Sequence, residues 1–138
     1  MIWNDFVESA ISAMRANATL TSLVDSNFYA EKVRPEINSP YVVFYKGEEI
    51  IERFLNCTPQ NIGYLIYTLV TFEVVTNDRI SNETGLSILN TLIPIFNEKG
   101  LFISNWKSKG CRLVSTMNFP EKNLWINSAN FRFVYCSY

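Results

Sequence analysis

Three glutamates, Glu48, Glu49 and Glu52, crowd into the stretch "KGEEIIERF" and are the first candidates for chemistry. Paired carboxylates can run acid–base or glycosidic reactions when they face one another across a cleft. Adjacent residues on an extended chain point to opposite sides. This run therefore reads as a solvated or inter-subunit charged segment rather than a catalytic pair. The chain holds no histidine. That removes the commonest general base, the usual nucleophile partner and the commonest metal ligand. Cys57, Cys111 and Cys136 are odd in number and lack C-x-x-C spacing, which suits neither a disulfide framework nor a zinc site. They read as buried or half-buried free thiols in a reducing compartment. No phosphate-cradling or nucleophile-elbow glycine motif occurs among the five glycines. No catalytic, metal-binding or cofactor-binding residue is assigned, and an enzyme is not expected. Trp106 with Lys107 in "SNWKSKG", and Trp125 in "EKNLWIN", sit beside lysines in turn-rich sequence. Such a tryptophan can anchor a protein interface, stack on single-stranded nucleic acid, or fold back onto its own sheet. Trp3 falls on an apolar helical stripe, which makes core its default.

The elements that must position these residues follow from periodicity. Trp3, Phe6, Val7, Ala10, Ile11 and Met14 form one face of an N-terminal helix. "ANATLTSLVDSN" reads as a break and one short turn. "FYAEKV" is a short strand, and "RPEINSP" is a turn-rich link. Tyr41 to Tyr45 is a strand entered through Pro40, which suits a strand's first position. "EEIIERFL" continues it as extended or bent chain, with Gly47 marking a bulge or turn. "NCTPQNIG" is a loop by composition. Tyr64 to Thr76 is the clearest strand, β-branched and aromatic, with Glu73 its one charge. A strand so apolar on both sides is central in a covered sheet or covered by another molecule. A second helix follows, with Ser81 as N-cap, Leu86, Leu89, Leu92, Ile93 and Phe96 as stripe, Pro94 as a late kink and Gly100 as stop. "CRLVSTMN" and "INSANFRFVYC" are strands joined by the turn "FPEKNLW", expected to pair as an antiparallel hairpin. In the last, Phe131, Phe133 and Tyr135 share one face. The order gives an α+β fold over residues 1–138 as a single domain. It is an antiparallel or mixed four- to five-stranded sheet with two helices packed on one face. Two helices cover one face of such a sheet and leave the other.

Bulk composition narrows the class. Charged residues make up 18% against 48% hydrophobic, where about 25% charged is usual. The chain carries a large core or apolar surface covered by a partner. The net charge of −1 and the absence of a basic cluster do not announce nucleic acid. "MIWNDFVESA" lacks the basic start of a signal peptide, and no apolar run approaches the roughly 18 residues of a membrane span. The sequons at Asn17, Asn56 and Asn82 read as chance matches in an asparagine-rich chain.

The layout resembles the tail terminator, or tail-completion, proteins of long-tailed phages, which join head to tail. "TLTSLVDSNFYAEKV" is similar to that family's leucine turn and first strand, and "SPYVVF" to its Pro-Tyr-Val-Val strand entry. "LIYTLVTFEVVTND" running into "SNETGLSILNTLIPIF" resembles its strand–helix step, and "ANFRFVYCS" its closing strand. The resemblance covers almost the whole chain, apart from "FLNCTPQNIG" and "KSKGCRLVSTMNFPEKNLW". It implies a non-enzymatic virion protein of the tail or neck, assembled in the host cytoplasm. It implies a ring of itself, usually of six copies, with the tail tube protein and a head-completion or connector protein as partners. DNA would only pass through the lumen, with no membrane involved and no cofactor. The expected inter-subunit or ring-face contacts are Glu48, Glu49, Ile50, Ile51, Glu52, Arg53 and Phe54, with Trp106, Lys107 and Trp125. Two alternatives stay open, a neck or head-closure protein docking on the connector, and a small monomeric cellular adaptor.

Overall fold

A computed structural model describes residues 3–30, 40–55, 62–77 and 81–137, and the side chains of these except Phe54, Leu55 and Ile62. The elements run α1 (Trp3–Arg15), α2 (Ala18–Val24), β1 (Phe28–Tyr29), β2 (Tyr41–Leu55), β3 (Ile62–Thr76), α3 (Glu83–Phe96), β4 (Lys107–Glu121) and β5 (Leu124–Cys136). The sheet is five-stranded and mixed, in the order β1-β2-β3-β5-β4. β1 pairs parallel to β2, and every other pairing is antiparallel. The architecture is the expected α+β, with three helices where the periodicity counted two. The leucine turn forms a helix of its own because Asn17 caps it, accepting a hydrogen bond from the Leu20 N–H at 2.9 Å.

All three helices pack on one face. Phe6, Ala10 and Met14 of α1, Leu20 and Val24 of α2, and Ile88, Leu89, Leu92 and Phe96 of α3 bury against β2, β3 and β5. The sheet supplies Phe44, Phe72, Phe131 and Phe133 to this core. Phe72 stacks on Phe44 at 5.1 Å and on Phe96 at 4.7 Å, and Phe131 meets it edge-on at 5.7 Å. Such pairs add stability beyond the area they bury. Trp3 stacks on Phe6 and lies against the core, as its stripe position predicts.

The boundaries of α3 differ from the sequence expectation. Its N-cap is Asn82 rather than Ser81. The Asn82 side chain is engaged elsewhere, exchanging two amide hydrogen bonds of 2.7 Å with Asn127 of β5. The helix stops at Phe96, before Gly100, where Asn97 turns extended while its N–H still bonds the Ile93 carbonyl. The Asn97 side chain then accepts from the Leu113 N–H at 2.9 Å, which ties the helix end to β4.

The face without helices is also partly covered. At one end Tyr41, Val43, Val75 and Ile126 form a second buried cluster, with Tyr29, Phe119 and Leu124 packed against it. At the other end the strands stay half-exposed. The hairpin turn is shorter than "FPEKNLW", since β4 runs to Glu121 and β5 begins at Leu124. No helix among the described residues is long and apolar enough to cross a membrane.

Candidate functional site

The acidic stretch lies on β2 where the strand has no outer neighbour among the described residues. β1 pairs only with Val42 and Val43. Between Lys46 and Glu49 the register slips, so that Gly47 and Glu48 together face Leu69 of β3. This β-bulge changes which residues look which way. Before it, Val42 and Phe44 face the helices. Beyond it, Ile50 and Glu52 face the helix-free side, opposite Tyr67 and Leu65, while Ile51 and Arg53 take the helix side, opposite Ile66 and Tyr64. The helices do not reach that far, and Ile50 and Ile51 are 47% and 58% exposed. Arg53 is exposed. Phe54 pairs with Gly63 in the ladder, and its side chain lies outside the described residues.

The three glutamates do not converge. Glu49 accepts a hydrogen bond from Thr68 Oγ1 at 3.1 Å and lies 3.8 Å from Lys46 Nζ. Glu48 and Glu52 line a shallow groove of about 250 Å³ with Ile50, Tyr67, Leu69 and Arg132 on the helix-free face. This is less than the roughly 300–1,000 Å³ of ordinary small-molecule pockets. No group of three His, Cys, Asp or Glu side chains among the described residues could hold a metal ion. Burial pushes the Cys111 thiol up to about 12, which suppresses the thiolate that a nucleophile needs. Tyr135 is likewise raised, by burial first and then by nearby Cys111.

The tryptophans and Lys107 sit apart from the acidic stretch. Trp106 is half-buried against the main core just before β4, and Lys107 opens that strand at the far edge of the sheet. Trp125 lies within β5, opposite Thr76 on one side and Pro120 on the other. Trp125 therefore belongs to the closing hairpin, and Trp106 to the turn that leads into it.

Sequence reasoning missed two features. Phe102 is 82% exposed beside a cavity of about 700 Å³ that Trp106 and Lys107 help to line. Arg112 of β4 stands directly opposite Arg132 of β5, both exposed. Like charges in that position destabilise a sheet. The two residues carry no common motif, and only the strand register brings them together.

No family model and no curated protein matches the sequence. A solved structure matches the fold. A chain in the virion of a native gene transfer agent particle superposes with a TM-score of 0.71 at 15% identity, over 95% of this chain and 94% of its own length. The fold is one that a virion contains. At that identity the likeness speaks for the fold, and the surface residues are this chain's own.

Proposed function

We propose that this chain is a non-enzymatic virion structural protein of the tail-terminator type. It forms a closed ring, of six copies in the family it resembles, that caps the tail tube and joins it to the head connector. The end-to-end structural likeness to a virion chain carries the reading. Two exposed isoleucines on a strand segment beyond the reach of the helices support it. A single-copy protein gains nothing from exposing them there, whereas a ring buries them against the next copy. The ring-face and inter-subunit contacts are drawn from Glu48, Glu49, Ile50, Ile51, Glu52, Arg53 and Phe54, with Trp106, Lys107 and Trp125 toward the tube or connector. The mechanism is geometric. One ring face closes the last layer of tube, the other presents a docking surface, and the lumen lets DNA through.

Negative-stain electron microscopy of the protein, alone and mixed with tail tubes of the same virion, tests this. Rings of uniform diameter are expected, at the tube ends in the mixture. Ile50→Ser with Ile51→Ser abolishes them while leaving cooperative unfolding intact. A protein that stays monomeric with tubes present overturns the reading, and its recovery from tailless heads favours a head-closure role instead.

A further inference from the structure

We infer that Ile51 of one copy inserts, with Glu49 beside it, into the cavity that Lys99, Leu101, Phe102 and Trp106 line in a second copy of this chain; this rests on the ring reading above and makes Trp106 and Lys107 seam residues rather than tube contacts. The cavity, of about 700 Å³, is lined wholly by residues 99–108. These are the connection from α3 and the first two residues of β4, so it opens at the edge of the sheet. Bonds within the subunit fix its walls. Ser9 Oγ of α1 donates to the Phe102 carbonyl at 2.6 Å, the Tyr135 hydroxyl to the Leu101 carbonyl at 3.1 Å, and the Trp106 N–H to the Ile103 carbonyl at 3.2 Å. The Phe102 backbone is thus anchored while its side chain stands 82% exposed. A receptor already in shape loses little freedom when it is filled.

Backbone pairing at this edge is already taken. The Cys111 carbonyl accepts from the Glu98 N–H at 2.8 Å, and the Leu113 N–H donates to the Asn97 side chain at 2.9 Å. A neighbour meets the edge there through side chains.

Strand register puts Ile51 and the cavity at one height. Ile51 pairs with Ile66, Ile66 with Tyr135, and Tyr135 with Ser108 of the cavity wall. The two also share a face. Tyr135 is buried in the helix-side core with its hydroxyl on Leu101. Ile51 takes the same side of β2 beyond the reach of the helices and is 58% exposed. They lie at opposite edges of the sheet. Rotation about an axis along the strands keeps both height and face, and so carries Ile51 of one copy to the cavity of the next. A contact between two different patches is the head-to-tail kind from which closed rings are built.

Charge agrees with this placement. Glu49 lies on the same side as Ile51 and pairs with Thr68, Thr68 with Phe133, and Phe133 with Cys111. Cys111 is the residue to which Glu98 is bonded, and Lys99 follows. Both contacts of Glu49 in its own subunit use Oε2, which leaves Oε1 for Lys99 of the next copy. An isoleucine beside a carboxylate suits an apolar cavity with lysines exposed at its rim.

Photo-crosslinking and complementation test the contact. With a benzophenone amino acid in place of Ile51, irradiated beside tail tubes, the label should join the 99–108 peptide of a second copy, read from the mass of the linked peptide in a dimer band. Label on the tube protein, on another surface, or nowhere overturns the contact. An Ile51→Asp chain keeps its cavity, and a Lys99→Glu, Phe102→Asp chain keeps its Ile51. Each should self-associate at least about tenfold more weakly in sedimentation velocity. The three side chains are exposed, so both variants keep the wild-type unfolding midpoint. Mixed at concentrations where the wild type associates, the two chains share one intact contact and stop at a dimer of one of each. Variants that assemble like wild type, or a mixture that stays monomeric, overturn the contact. Wild-type rings seen alongside would leave the ring reading standing. A wild type without rings beside tubes removes both.

Discussion

Cys111 shows how a reactive residue type can be made inert by its place. Its thiol is buried on the helix side of β4, close to the ring of Tyr135, and water that would stabilise a thiolate is excluded. The folded thiol is held near 12 against an ordinary 9.0. The unfolded chain loses this proton first as pH rises. The contribution to stability is therefore complete below pH 9 and disappears as pH climbs toward 12. Urea midpoints measured at steps across that window should fall more steeply for the wild type than for a Cys111→Val chain. Equal slopes would show that the thiol does not titrate late. In the native state at neutral pH, Cys111 should resist thiol reagents until the sheet opens.

At the scale of elements, the seat of α3 on β5 depends on Gly85. A Cβ there would collide with the Asn127 amide and crowd the Asn82 side chain, which are locked to each other. Glycine to alanine inside a helix normally gains roughly 1 kcal/mol. Gly85→Ala should instead lose about 1–3 kcal/mol by overpacking, seen as a lower urea midpoint; a gain would mean that α3 is free to lift. No local pattern in "SNETGLSIL" hints at this, because the collision comes from a strand more than forty residues away (127 minus 85). What local pattern does carry was legible. The α1 stripe, the long apolar β3 and the aromatic face of β5 all appear where period and composition put them. Gly47 marks a bulge or turn in the sequence, but nothing local says which face it hands to Ile50 and Ile51. The candidate surface was half legible for the same reason. Glu48, Glu49 and Glu52 are neighbours in sequence, whereas Arg112 and Arg132 meet only after β4 takes a register shift against β5 between Leu113 and Ser115.

At the scale of the whole molecule, the two edges of the sheet carry opposite charge on a chain whose net charge is only −1. Such a subunit does not repel its copies in bulk. An ion pair at an exposed seam, such as Glu49 with Lys99 of the next copy, weakens when salt shortens the Debye length from about 10 Å at 0.1 M to about 3 Å at 1 M. Burial of Ile50 and Ile51 responds to sodium chloride far less. The two contributions can therefore be separated in one titration. Raising sodium chloride from about 50 mM to about 500 mM should weaken wild-type self-association several-fold without moving the unfolding midpoint. A Lys99→Glu chain, which lacks the favourable pairing, should show a flat or rising dependence over the same range. An association constant indifferent to salt in the wild type would assign the contact to the isoleucines alone. The charged edges would then act to keep stray strands from adding to the sheet, and the agreement in height of Glu49 with Lys99 would carry no information about the neighbour.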